Sequence, residues 1–191
     1  MKIIVGLGNP ESRYAGTRHN LGFEILEKYV KETGNEGWTM EDRFKAEVIK
    51  RGELVFIKPQ TFVNKSGLAV GLIAKFYKIV PEDVIVVHDE LDLPLGKIKV
   101  RIGGAAAGHH GVESIISALG TDQFIRVRLG IGNLKTKSAE KKAIHVSAEK
   151  FVLEPFLHSE KSQVKHMIKQ ALKALDILLE KGLEQAQNQF N

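Results

Sequence analysis

The chain contains no cysteine, and this absence excludes disulfide bonds, thiolate nucleophiles and cysteine metal sites. It also has no apolar run near the roughly 20 residues that a membrane-spanning helix needs. The opening MKIIVGLGNP has a short apolar run without a cleavage site, which is not the pattern of a secretory signal peptide. We therefore expect a soluble protein of the cytoplasm that has no membrane partner.

The hydrophobic content of the chain is enough to build one full core. Of the 191 residues, 43% are hydrophobic, a normal share for a globular domain. A chain of this length usually folds as one domain, and the sequence shows neither an internal repeat nor an interdomain linker. We expect residues 1–191 to form a single domain.

Positive charge is concentrated in one part of the chain. The formal net charge is +5, from 28 Lys and Arg against 23 Asp and Glu. Between Lys97 and Lys142 there are nine Lys and Arg and three Asp and Glu, a net of +6, so the remainder is slightly acidic. A basic region of this kind suggests a polyanionic partner such as nucleic acid. On charge alone, a merely basic surface is an equally good interpretation.

Strand and helix patterns alternate along the chain. Short β-branched apolar runs indicate buried strands, and apolar residues three and four positions apart indicate helices. Asn20 stands where it can cap the first helix. The predicted strands cover 2–7, 46–51, 54–58, 83–88, 98–102 and 124–131, and the later helices cover 66–77, 110–119 and about 161–181. A polar stretch at about 135–147 is predicted to be a mobile loop. This alternation predicts an α/β fold, a single domain with a twisted mixed β-sheet flanked by helices.

Two of the predicted strands carry basic residues on one face. In KIKVRI and IRVRL, basic and apolar residues alternate, and strand geometry then places successive cations roughly 7 Å apart in a row. Such a row would bind phosphates of RNA or DNA in a salt-dependent way, although a solvated sheet face is the plainer alternative. The five cations are Lys97, Lys99, Arg101, Arg126 and Arg128.

The segment IIVGLGNP at the end of the first strand contains Gly6-x-Gly8. A dinucleotide-binding fingerprint needs a third glycine, where this chain has Glu11, and a helix that opens at once. We interpret the two glycines as allowing a sharp turn that presents Asn9.

The segment HDELDLP places acidic side chains at the carboxyl end of a strand, where sites in open α/β sheets lie. It is compatible with a Mg²⁺ site, with a carboxylate that orients a histidine, or with a charged turn before Pro94.

In GGAAAGHHG, adjacent His109 and His110 begin a helix and point about 100° apart, which disfavours a shared metal. In KPQTFVNKSG, Asn64 is either a helix cap or a group that binds a substrate amide.

Five segments occur together in this order: GLGNPESRYAGTRHNLG, KPQTFVNKSG, HDELDLPLGKIKVR, GGAAAGHHG and RVRLGIG. The set closely resembles the bacterial-type peptidyl-tRNA hydrolases, from Met1 to about Leu179. The resemblance implies a monomeric α/β enzyme that needs no metal or other cofactor. Its implied reaction is hydrolysis of the ester between a peptide, or an N-blocked amino acid, and the 3′ ribose of tRNA.

The resemblance also implies site residues. It gives His19 as the catalytic histidine and makes Asn9, Asn64 and Asp92 further active-site residues. The other candidate substrate contacts are Tyr14, Phe62 and His110.

Residue types agree with this chemistry. Ester hydrolysis needs an activated water and a stabilised oxyanion, and a neutral histidine is suited to be the general base, worth ~10²–10⁴-fold. We expect Asp92 to accept from the other ring nitrogen of His19, and Asn9 to hydrogen-bond the peptide or the attacked carbonyl.

The chain departs from the family pattern at several positions. His110 replaces an asparagine, Glu11 replaces a glycine, and the alanines at 105–107 fill a stretch that is usually richer in glycine. Two alternatives to the hydrolase stay open. One is an RNA-binding relative without turnover, which is supported only by His110. The other is a nucleotide-dependent enzyme, which is supported only by Gly6-x-Gly8.

Overall fold

The computed structural model describes residues 1–34, 37–132 and 147–191, so the predicted loop at about 135–147 lies outside the described residues except for its last residue. The strands are β1 (Lys2–Gly6), β2 (Thr39–Glu41), β3 (Ala46–Arg51), β4 (Leu54–Pro59), β5 (Val84–Glu90), β6 (Ile98–Ile102) and β7 (Ile125–Gly130). The helices are α1 (Leu21–Glu32), α2 (Ser66–Tyr77), α3 (His110–Leu119), α4 (Ala148–Val152), α5 (Lys161–Lys181) and α6 (Leu183–Phe190).

The seven strands form one mixed sheet in the order β2-β3-β4-β1-β5-β7-β6. The inner strands β4, β1, β5 and β7 run parallel, whereas β2, β3 and β6 pair antiparallel at the two edges. The predicted α/β fold with a mixed sheet is confirmed. Because the inner strands are parallel, their carboxyl ends meet at one edge of the sheet, where a site is expected.

Alternating side chains divide the core into two layers. On β1, Ile4 faces a cluster that includes residues of α1, α5 and α6, whereas Ile3 and Val5 face a cluster that includes residues of α2 and α3. All seven residues of β5 are buried, as expected of a central strand covered on both faces. Within the described ranges, no helix is long and apolar enough to cross a membrane.

The glycines near β1 serve close packing, contrary to the prediction of a sharp turn. Neither Gly6 nor Gly8 has a positive φ. A Cβ at Gly6 would lie 2.5 Å from the carbonyl oxygen of Gly22, and one at Gly8 would lie 2.8 Å from the Phe23 ring. Both partners are on α1, so the glycines let this helix cross directly over the end of β1. The residues before α1 are thereby brought to the carboxyl edge of the sheet.

Candidate active site

A cavity of about 420 Å³ opens at the carboxyl edge of the parallel strands. Its lining combines residues that follow β1, β4 and β5 with the start of α3 and with α4. The polar lining residues that bear on chemistry are Asn9, His19, Asn64, Asp89, Glu90, His109 and His110. Five of the sequence-predicted residues therefore meet here: His19, Asn9, Asn64, His110 and the apolar Phe62.

His19 is held by a buried carboxylate, and that carboxylate is Asp89. The Nδ1 of His19 lies 2.9 Å from Oδ1 and 3.1 Å from Oδ2 of Asp89. Burial would by itself lower the pKa of His19, but the charge of Asp89 and its hydrogen bond outweigh this effect, so the pKa is raised above its ordinary value. Burial likewise favours the neutral acid at Asp89, yet the two neighbouring imidazoles hold its pKa far below the usual range.

The prediction that Asp92 binds His19 is wrong. Strand β5 continues to Glu90, two residues beyond its predicted end, so Asp89 is the acid that reaches the site. Asp92 lies in the following turn and is exposed. Its backbone N–H donates to Oε1 of Glu90 at 3.1 Å.

A second histidine, missed by the sequence analysis, also binds Asp89. The Nε2 of His109 lies 3.0 Å from Oδ1 of Asp89. Its Nδ1 accepts the backbone N–H groups of Gly111 and Val112 at 3.2 and 3.3 Å, which caps α3. Since Nδ1 accepts, the proton of the neutral ring must be on Nε2. His109 is therefore a donor to Asp89.

The same tautomer argues against a metal in this cluster. His19, Asp89 and His109 offer ligand atoms within 4.8 Å of one another. A metal at Nε2 of His109 would require the proton on Nδ1, where it would oppose the two backbone N–H groups that cap α3. The cluster fits a hydrogen-bonded carboxylate better than a cation site.

Among the described residues, none is hydrogen-bonded to the side-chain amide nitrogen of Asn9, which leaves this donor for a ligand. Its Oδ1 accepts the N–H of Val63 at 2.9 Å. Asn20 fixes the Asn9 backbone from both sides, because its Oδ1 accepts the N–H of Asn9 at 3.0 Å and its Nδ2 donates to the carbonyl at 2.9 Å. The predicted capping role of Asn20 is thus wrong, since its side chain makes no cap hydrogen bond to α1. Asn9 is left as a donor towards the cavity.

The other predicted substrate contacts differ in position. Asn64 and Phe62 are exposed at the rim of the cavity. The His110 side chain is 61% exposed, and its Nδ1 lies 2.8 Å from Oε2 of Glu113. Tyr14 is not among the described residues that line the cavity. Its ring is instead covered by the guanidinium of Arg13 at 4.8 Å.

The five predicted phosphate-binding cations are not equally available. Strand pairing sets Lys99 opposite Arg128 and Arg101 opposite Arg126, so these four share a face as predicted. Lys97 and Lys99 are exposed, and Arg101 is half-buried.

Arg126 and Arg128 already have partners. Arg126 is 2% exposed and donates to the carbonyls of Gly104 and Ala105. Arg128 pairs with Glu90 at 2.9 Å. All five were predicted to bind phosphates, but the side chains of these two are already held by acceptors in the loop after β6 and at the end of β5, which local spacing does not reveal.

Comparison with known proteins gives a consistent result. The family model for peptidyl-tRNA hydrolase matches residues 3–191. A peptidyl-tRNA hydrolase of Syntrophotalea carbinolica is 39% identical over 196 residues, which cover 100% of this chain and 97% of that protein. One of Mycolicibacterium gilvum is 42% identical over 190 residues, 97% of this chain and 94% of that protein. The crystal structure of peptidyl-tRNA hydrolase from Acinetobacter baumannii aligns with a TM-score of 0.86 at 33% identity, covering 100% of this chain and 94% of that chain.

Proposed function

This chain belongs to the peptidyl-tRNA hydrolase family, and from that premise we propose how its own residues carry out the reaction. It hydrolyses the ester that joins a peptide to the 3′ ribose of tRNA and releases both. No observation favours an RNA-binding relative without turnover, and the missing third glycine leaves the nucleotide-dependent alternative without support.

His19 is the general base in this proposal, and the observation that carries it is the bond from Nδ1 to Asp89. That bond keeps the proton on Nδ1 and leaves the Nε2 lone pair for water. As the water oxygen bonds to the ester carbonyl carbon, Nε2 takes its proton. When the carbon–oxygen bond to the ribose breaks, the same proton passes to the leaving 3′ oxygen.

Two further groups assist the base. Asp89 keeps the imidazole in the required tautomer and stabilises the imidazolium while it exists. Asn9 donates through Nδ2 to the attacked carbonyl, because its oxygen is occupied by Val63. A single donor of this kind is worth about 10²–10³ in rate. Asn64 and Phe62 contact the substrate at the rim.

In this proposal, the phosphates of the tRNA lie against the cations of the shared sheet face that have solvent access, which are Lys97, Lys99 and Arg101. Residues 1–191 act as one catalytic domain, as a monomer in the cytoplasm. None of the proposed steps requires a metal.

Replacement of the base tests the proposal. His19→Ala should reduce release of tRNA from N-acetyl-aminoacyl-tRNA by about 10²–10⁴-fold. It should leave tRNA affinity nearly unchanged, because the imidazole does not contact the phosphates. The exposed His166 offers a matched control, and His166→Ala should behave as the parent. Near-normal turnover by His19→Ala would place the base elsewhere.

A further inference from the structure

One side of the active-site cavity is lined by the first part of residues 148–160, and we call this whole range the wall segment. It contributes the lining residues Ala148, Glu149, Val152 and Leu153. Leu153 is 41% exposed although it is large and apolar. The four lining positions include a carboxylate and no cation, so this side of the cavity suits an apolar group better than a phosphate.

Phe151 anchors the wall segment in the hydrophobic core, and its polar attachment includes Arg18, whose side chain is 1% exposed. Its Nη1 donates to the carbonyls of Glu154 and Pro155 at 3.1 and 2.9 Å. Its Nη2 donates to Oε2 of Glu160 at 2.8 Å. The backbone N–H of Arg18 donates to the same Glu154 carbonyl at 3.1 Å.

Aromatic rings of the wall segment enclose the guanidinium. Its central carbon lies 4.3 Å from the centre of the Phe151 ring and 5.0 Å from that of Phe156. Burying a charge gives little net stability, and apolar residues of similar size often serve as well. What arginine adds is a rigid planar fork that fixes the directions of several acceptors at once.

The same short turn carries Arg18 and the general base. Arg18, His19 and Asn20 form one 3₁₀ turn, so the guanidinium fixes the wall segment relative to the imidazole. We propose that Arg18 is a positioning residue that holds the wall segment beside His19, and that Val152 and Leu153 there bind the C-terminal side chain of the esterified peptide. Phe62 lines the same cavity and offers a further apolar contact. This inference rests on the proposed function.

A substitution that keeps the charge but removes the fork provides the test. Arg18→Lys should raise KM for N-acetyl-leucyl-tRNA about tenfold, as expected when one large apolar side chain loses its contact. The KM for N-acetyl-glycyl-tRNA should stay within about twofold of the parent value, because glycine offers no side chain to the wall. For both substrates, kcat and the fall of kcat at acid pH should be unchanged, since the hydrogen bond between His19 and Asp89 is untouched.

Arg43 provides a matched control. It also lies against two rings, Phe44 at 4.4 Å and Phe76 at 4.7 Å, and pairs with Glu41 at 2.6 Å. None of these residues lines the cavity. Arg43→Lys should leave both KM values unchanged. If Arg18→Lys fails to fold, Glu160→Gln should show the same selective rise in KM, to a smaller extent.

An engineered disulfide can replace the attachment that Arg18 provides. The chain contains no cysteine of its own, so two introduced cysteines have no competing partner in the chain. Thr17 and Pro155 form an antiparallel bridge, and residues paired in this way lie within the Cα separation that a disulfide spans. Adding Thr17→Cys and Pro155→Cys to Arg18→Lys should restore the leucyl KM when oxidised, and reduction should raise it again.

An equal rise in KM for the leucyl and glycyl substrates, or no rise for either, would overturn the inference. So would a raised leucyl KM that oxidation of the disulfide leaves unchanged. The proposed function fails separately, through retained turnover in His19→Ala.

Discussion

At the scale of single residues, Asp89 decides the chemistry of the site. It is 2% exposed and accepts hydrogen bonds from His19 and His109. A buried carboxylate with two imidazole partners stays ionised, so it can both orient the base and stabilise its cation. His88 supports this arrangement, because its ring meets that of His109 edge to face at 4.9 Å. Burial lowers the pKa of His88 well below its ordinary value, which keeps it uncharged.

Asp89→Asn should lower kcat/KM by about 10²–10⁴-fold, because the tautomer of His19 is no longer fixed. It should also move the acid limb of the pH profile to lower pH. The raised pKa of His19 depends on the negative charge of Asp89, and burial alone would lower it. The exposed Asp92 is the matched control, and Asp92→Asn should reproduce the parent profile. The same acid limb in Asp89→Asn and the parent would show that Asp89 does not set the protonation of the base.

His110→Asn should stay active, because an asparagine side chain can both donate and accept a hydrogen bond at this position. His110 lines the cavity, and its Nδ1 lies 2.8 Å from Oε2 of Glu113, so Glu113→Gln is a useful companion variant. Steady-state kcat and KM with N-acetyl-aminoacyl-tRNA decide the outcome, and a kcat lowered by about 10²-fold or more in His110→Asn would show that the imidazole itself takes part in the reaction.

At the scale of elements, close packing of helices on the sheet brings the site together. A Cβ at Gly22 would lie 2.4 Å from the nitrogen of Leu7 and from the carbonyl oxygen of Val87. Helix α1 therefore touches the backbones of β1 and β5 at once. Helix α2 packs equally closely on α3, since a Cβ at Gly67 would lie 2.0 Å from the carbonyl oxygen of Ser114. These contacts bring the turns before α1, α2 and α3 around one cavity.

The two basic strands, β6 and β7, should differ in their effect on tRNA binding. Alanine at Lys97, Lys99 or Arg101 should weaken binding at low salt and reduce the salt slope by about one counterion per lost contact. Arg126→Ala should leave that slope unchanged and lower thermal stability, because its guanidinium holds the loop carbonyls of Gly104 and Ala105. Binding measured from low to moderate salt separates the two effects. An unchanged slope for the Lys97, Lys99 and Arg101 variants would place the tRNA on another face.

At the scale of the whole molecule, the order of the strands sets the relation between binding and chemistry. Strand β5 lies between β1 and β7, so its carboxyl end is shared by the cavity and the basic face. Glu90 joins the two directly, because it lines the cavity and pairs with Arg128. A substrate with a peptide at one end and phosphates along its length can therefore contact both regions at once.

The sequence alone determined most of the regular elements of this fold. Helices at Ser66–Tyr77, His110–Leu119 and Lys161–Lys181 have their predicted bounds, because apolar periodicity and end signals act over a few residues. The short strand β2 and the helices α4 and α6 were not predicted. The motifs also singled out His19 and Asn9, which both line the cavity, and their roles in the reaction stay predictions.

Only the tertiary structure decided which partners these residues have. Asp89 rather than Asp92 binds His19 because β5 ends two residues later than its pattern suggests. His19 and Asp89 are 70 positions apart in the sequence. Arg126 faces loop carbonyls and Arg18 binds acceptors 136 and more positions away. Local spacing encodes backbone conformation, whereas burial, tautomer and charge pairing depend on which distant segments the sheet brings into contact.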